Sequence, residues 1–143
     1  MISIFATSLA LAIAPQPIAH TVTIEHQSAP LHATYKADVE VTTRQIGMSA
    51  GARPSTARCL WEARVGVIRE IAREQGSAYS RRLDADKLIE GSRPGTCATV
   101  SRQLERDLAA RQGDVRAHVE QVALGDQDAL RADLRTMTEL AQN

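Results

Sequence analysis

The chain has 143 residues and a mass of 15.5 kDa, which suits one domain and leaves no room for two separate cores. Its 17 basic residues balance 17 acidic residues, so it lacks the positive surplus by which nucleic-acid-binding proteins are identified. Apolar residues make up 43% of the chain and aromatic residues only 3%, which excludes disordered chains and aromatic sugar-binding platforms.

The N-terminal segment carries no charged side chain from Met1 to Ala19 and contains an unbroken apolar or small run, Ile2 to Ala14. Its thirteen residues are too few to span a membrane but match the apolar region of a secretory signal. Cleavage after Ala19 is favoured over cleavage after Ala14, and a buried strand or helix is the other interpretation. The sequence therefore predicts a signal peptide at 1–19, a single domain at 20–143, and a periplasmic or secreted protein without a membrane span in the mature chain.

The residues after the predicted signal alternate in polarity, as half-buried strands do. Val22 and Ile24 alternate with polar residues within 20–26, and the alternation resumes over 31–41 after a turn at 27–30. These two segments predict an antiparallel hairpin.

The segment 57–68 fits two periodicities. A helical stripe would join Trp61, Val65 and Ile68, whereas a strand would place Trp61, Val65 and Val67 on one face. We favour a strand, because Gly66 disfavours a helix interior by about 1 kcal/mol and valines favour a pleated surface. A weaker pattern over 79–90 suggests a fourth strand.

From Pro94 onward the apolar spacing is helical. Val100, Leu104 and Leu108 lie four residues apart, and Gly113 and Gly125 are candidate helix ends. Asp114 and Asp126 would cap the next two helices, and the last would bury a stripe, namely Leu130, Leu134, Met137 and Leu140. The predicted fold class is α+β: an N-terminal antiparallel sheet, made of a hairpin plus one or two further strands, with about three short C-terminal helices.

The chain has two cysteines, Cys59 and Cys97. An even pair in a small exported protein favours a disulfide bond, here between the central strand and the first C-terminal helix. Closing such a loop stabilises a domain by about 3 to 4 kcal/mol in the chain-entropy model.

Histidine offers the sharpest functional hypothesis. If cleavage follows Ala19, His20 becomes the mature N-terminus, and its α-amine and imidazole together could bind one copper ion. A third nitrogen would come from His32, across the hairpin, or from His118. The alternative is that these histidines lie on a polar surface and bind no cofactor.

Arginines cluster between Arg53 and Arg93 and could bind an anionic envelope polymer or a lipid headgroup. Interleaved glutamates favour a mixed, solvated face instead. The candidate anion-binding residues are Arg58, Arg64, Arg81 and Arg82.

No catalytic, phosphate-binding or zinc-protease motif is present in the sequence. Asp84, Asp86 and Glu90 are candidate acid or base carboxylates, but they lack the spacing of a calcium loop. The favoured interpretation is an exported, non-enzymatic structural or binding protein of a bacterial type of envelope, with an unknown ligand and partner. A copper-binding protein is the first alternative, and a carboxylate-dependent envelope hydrolase or lyase is the second.

Overall fold

The computed structural model describes residues 17–27, 29–49, 51–72 and 79–142. Its seven elements are β1 (Ala19–His26), β2 (Ala29–Ile46), β3 (Arg58–Ile71), β4 (Tyr79–Pro94), α1 (Cys97–Ala110), α2 (Gln112–Gly125) and α3 (Gln127–Gln142). The strands form one antiparallel sheet in the order β1-β2-β3-β4. The predicted α+β class is confirmed, and so is the fourth strand. Of the predicted signal segment 1–19, all but the last three residues lie outside the described ranges.

The helices pack against one face of the sheet, called the helix face below, and the opposite face is called the open face. Strand β3 shows why, because every odd-numbered side chain from Cys59 to Ile71 is buried. All of them except Arg69 join two core clusters with apolar residues of the helices, such as Val119 and Leu130 in one and Val100 and Leu104 in the other. Burying each such side chain contributes about 1.5 to 3 kcal/mol, so the β3 alternation organises the whole domain.

A disulfide joins Cys59 in β3 to Cys97, the first residue of α1, as predicted. Thr96 caps the same helix, with its side-chain oxygen accepting a hydrogen bond from the Thr99 amide at 3.3 Å. The bridge and the cap together fix where α1 starts relative to the sheet.

Strand β4 is irregular at its centre, where its register against β3 shifts between Val65 and Val67. The carbonyl of Ala85 lies in this irregular stretch and is 2.7 Å from Nε2 of His118 in α2. On the open face, a Cβ atom at Gly66 would come within 2.3 Å of the Arg82 guanidinium, so a side chain there would have to displace the end of Arg82. The shift is two residues, so the alternation of faces continues through it, with Leu83 and Ile89 on the helix face and Leu88 exposed. The sequence pattern is weak because the helix-facing positions between Leu83 and Ile89 hold Ala85 and Lys87.

The ends of two helices differ from the sequence-based expectation. Helix α1 ends at Ala110 and α2 begins at Gln112, so Gly113 lies in the first turn of α2 rather than at the end of α1. Asp114 does not occupy the N-cap; its carboxylate lies 3.2 Å from Nη1 of Arg111, which does. Arg111 is both the C-cap of α1 and the N-cap of α2, so this single residue connects the two helices.

Candidate functional site

The structure separates the three histidines of the copper hypothesis. His20 is opposite Tyr35, on the helix face, whereas His32 is exposed on the open face, 3.0 Å from the hydroxyl of Thr23. His118 belongs to α2 and its Nε2 contacts a backbone carbonyl of β4. Among the described residues, no group of three or more histidine, cysteine, aspartate or glutamate side chains could hold a metal ion.

The four candidate anion-binding arginines also lie on both faces of the sheet. Arg58, Arg64 and Arg82 are on the open face, where Arg58 donates to Ser92 Oγ at 2.8 Å and Arg82 is paired with two aspartates. Arg81 is on the helix side, 3.0 Å from a carboxylate oxygen of α3. The four side chains therefore do not converge on one anion.

The three candidate acid or base carboxylates line different parts of the surface. Asp84 borders a cavity shared with α2 and the start of α3, whereas Glu90 lies on the open face directly opposite Glu62. Asp86 lies 3.5 Å from the guanidinium of Arg82. No hydrogen bond joins any two of these three carboxylates, which lie at exposed positions of β4 within the described residues.

A buried ion-pair network, missed at the sequence level, lies under α3. Arg69 is fully buried and donates to Asp126 at 2.5 Å and to Asp133. Burial by itself would lower the pKa of Arg69, but its hydrogen bonds to the two carboxylates outweigh burial and raise it. Tyr35 donates to Asp126 at 3.0 Å, and burial together with that negative charge raises the pKa of Tyr35 to about 12. All of these groups serve to hold α3 against the sheet.

Strand β2 has an unpaired edge along its C-terminal half. Strand β1 pairs with β2 only as far as Lys36, and the last backbone contact is the Ala37 amide donating to the Ile18 carbonyl at 2.9 Å. Residues 38–46 continue to pair with β3 on their other side. Within the described ranges no strand lies beside these nine residues on the β1 side, and all nine are exposed.

The unpaired backbone groups belong to alternate residues. In an antiparallel ladder, successive residues direct their amide and carbonyl groups to opposite neighbours. The backbone amide of Ala37 points toward β1, and the backbone carbonyl of His32 points toward β3. The odd-numbered residues of this half therefore direct their amides and carbonyls away from β3, to the unpaired edge. These residues are Val39, Val41, Thr43 and Gln45.

An apolar groove runs along the helix face beside the same edge. It encloses about 330 Å³ and is lined mainly by apolar side chains of the sheet and of the α1–α2 corner, including Val39, Val41, Ala63 and Leu108, all of which remain after cleavage at Ala19. Val39 is 44% exposed and Val41 is 43% exposed, although their parity puts them on the core side of β2. In the part of the chain that the structure describes, β1 begins at Ala19, opposite Lys36, and no strand residue lies beside these two valines.

The open face of this edge carries three charged side chains, Asp38, Glu40 and Arg44, and Asp38 is paired with Arg82. Glu40 and Arg44 lie four residues apart on the same face, both are exposed, and neither is in an ion pair with another described residue. Monomeric proteins protect edge strands with proline, with charged side chains, above all lysine, or with bulges. The segment 38–46 contains no proline or lysine, its register against β3 is regular, and its charged side chains are confined to the open face. We call residues 38–46 together with the apolar groove the β2 edge site.

No protein-family model matches the chain, and no curated protein or solved structure is detectably similar to it. In the part of the chain that the structure describes, no helix is both long and apolar enough to cross a membrane. The functional interpretation therefore depends on the geometry of the β2 edge site itself.

Proposed function

We propose that the protein is an exported, non-catalytic binding protein that accepts an extended polypeptide strand at the β2 edge site. The observation that carries this proposal is the nine-residue unpaired edge lying directly beside an apolar groove. Strand addition to a sheet edge uses both features, since main-chain hydrogen bonds supply affinity and pockets for alternate side chains supply specificity.

The edge defines the chemistry of the strand that it would accept. Four residues offer free amides and carbonyls, so a partner strand can form about eight backbone hydrogen bonds. Side chains at alternate positions of the partner would meet Val39 and Val41 and should be apolar or small. On the open face, an antiparallel partner should carry an acidic residue opposite Arg44 and, four residues later, a basic residue opposite Glu40.

Export to an oxidising compartment is supported by two features. The Cys59–Cys97 disulfide is compatible with such a compartment, because cytosolic thiols are kept reduced. The charge-free segment 1–19 has the composition of a secretory signal. An intact mass that retains residues 1–19 on protein recovered outside the cytoplasm would contradict cleavage at Ala19.

Strand acceptance can be tested with a labelled peptide, Thr-Val-Glu-Val-Thr-Val-Lys-Val-Thr, by fluorescence anisotropy at submicromolar protein. This peptide places its glutamate opposite Arg44 and its lysine opposite Glu40 when it binds antiparallel. The matched control peptide exchanges the glutamate and the lysine and keeps the composition. We expect the control to bind about tenfold more weakly, a difference of about 1.4 kcal/mol.

A pair of protein variants separates backbone from side-chain recognition. Val41→Pro removes the backbone amide that points to the unpaired edge, and it leaves every hydrogen bond between β2 and β3 in place. Val41→Ala shortens the side chain and keeps the amide. Val41→Pro should lose peptide binding while Val41→Ala keeps most of it. Equal binding by both variants, or no binding of either peptide to the unmodified protein, would contradict the proposal.

A further inference from the structure

We propose that the strand accepted by this edge is β2 of a second copy of the chain, so that two chains form one continuous eight-stranded antiparallel sheet. This inference rests on the proposed function, because it names the partner of the same edge. Of the two requirements derived for a partner, the one that concerns charge is an acidic residue followed four residues later by a basic one. Strand β2 meets this requirement itself, with Glu40 followed by Arg44.

The backbone geometry allows such pairing in a limited set of registers. Only odd-numbered residues have free amides and carbonyls, so odd-numbered residues of one copy must face odd-numbered residues of the other. Placing Thr42 opposite Thr42 of the second copy satisfies this condition. Val41 then pairs with Thr43 of the second copy, and Val39 pairs with Gln45 of the second copy.

Charge selects this register over its neighbours. With Thr42 on the two-fold axis, Glu40 of each copy lies opposite Arg44 of the other, which forms two cross-strand ion pairs. A shift by one allowed step in one direction places Arg44 opposite Asp38, which is already paired with Arg82. A shift in the other direction places Arg44 opposite Thr42. The central register alone uses both free charges.

The groove adds an apolar contribution to the same interface. Residues directly opposite each other in an antiparallel pair have side chains on the same face, so both helix layers would lie on one side of the joined sheet. The two grooves then meet across the two-fold axis, and the half-exposed Val39 and Val41 of each copy become covered along the seam. Pairing therefore removes the exposed apolar surface and the free backbone edge together.

Sedimentation velocity measures the association directly on the oxidised, exported protein. We expect a dimer at tens of micromolar that dissociates on dilution. Glu40→Arg and Arg44→Glu should each weaken the homodimer by about tenfold or more, because each variant places two like-charge pairs across the seam. Glu120→Arg, an exposed substitution on α2, is the matched control for the change in net charge and should leave the dimer intact.

Mixing the two charge variants tests the register itself. In the mixed dimer, positions 40 and 44 are both arginine in the Glu40→Arg chain and both glutamate in the Arg44→Glu chain. Each arginine then lies opposite a glutamate, so equimolar mixing should restore a dimer that neither variant forms alone. The double variant Glu40→Arg with Arg44→Glu should also dimerise. Both substitutions are at exposed positions, and circular dichroism spectra of each variant should match that of the unmodified protein.

Three results would overturn this inference. The first is a protein that stays monomeric up to about 100 µM, and the second is a dimer that Glu40→Arg does not weaken. The third is a mixture of the two variants that remains monomeric. A monomer that still binds the nine-residue peptide would refute the second copy as partner and leave the proposed function standing. A monomer that binds no peptide would refute both.

Discussion

Opening the disulfide should cost the domain a large share of its stability. The bridge joins residues separated by 38 positions, and the chain-entropy model assigns about 4 kcal/mol to a loop of this size. Domains of this size are stable by about 5 to 15 kcal/mol in total. Cys97→Ser should therefore lower the free energy of unfolding by about 4 kcal/mol, since the unfolded chain gains the freedom that the bridge removes.

Urea unfolding followed by Trp61 fluorescence measures this loss. Trp61 is the single tryptophan, is 5% exposed, and shares a core cluster with Cys59. The unmodified protein treated with a reductant is the matched control and should unfold at the same urea concentration as Cys97→Ser. Because Cys59 is fully buried, its freed thiol should react with iodoacetamide only as the protein opens. A loss below about 1 kcal/mol would refute the reasoning.

Three further predictions concern the core. Arg69→Met should cost about 3 to 5 kcal/mol in urea unfolding, because it leaves the partly buried Asp126 without its cation. The pKa of Tyr35 is raised to about 12 in the folded protein, so folding favours its neutral hydroxyl. Its contribution to the free energy of unfolding, about 2 to 3 kcal/mol, should be intact below pH 10 and lost between pH 10 and 12, as unfolding measured at alkaline pH would show. Gly91→Ala should lower the melting temperature and cost about 1 to 3 kcal/mol, because its Cβ would lie 2.5 Å from the Trp61 ring.

Each of these predictions has a matched control. Arg81→Met removes a half-exposed partner of Asp133 and should cost less than about 1 kcal/mol. Tyr35→Phe should abolish the loss of stability between pH 10 and 12. Gly113→Ala, where a Cβ would meet nothing within 4 Å, should be neutral or stabilising. Equal costs for Arg69→Met and Arg81→Met, or for the two glycine variants, would contradict the packing described above.

Periodicity predicted the sheet well where strands are regular. The alternation of β3 was correctly chosen over a helical stripe, because Gly66 and the valines favour a pleated surface and the strand is buried on one face. Strand β4 gave a weak pattern because two of its helix-facing positions hold Ala85 and Lys87, while Leu88 is exposed. Leu140 was expected in the buried stripe of α3 but is 74% exposed, because it lies in the last turn of the helix. The apolar spacing of a helix does not show at which residue the helix extends beyond the sheet that it packs against.

The candidate site could be predicted only in part. The alternation that buries the odd-numbered residues of β3 also places Arg69 inward, so the sequence could have identified this buried arginine. Its partners Asp126 and Asp133 could not be assigned, because residue spacing does not show which helical residues lie over β3. The β2 edge was hidden for a different reason. The alternation of Val39 and Val41 looks like that of any half-buried strand, and only the sheet register shows that the described strand β1, which begins opposite Lys36, does not lie beside them.

Amide hydrogen exchange on the β2 edge tests strand acceptance most directly. In dilute protein the amides of Val39, Val41, Thr43 and Gln45 should exchange rapidly, while those of the even-numbered residues between them are protected by β3. Adding the nine-residue peptide, or raising the protein concentration, should slow exchange at these four amides and leave the even-numbered ones unchanged. Four amides that are already protected in dilute protein, or that exchange at the same rate after either addition, would contradict a free strand-accepting edge.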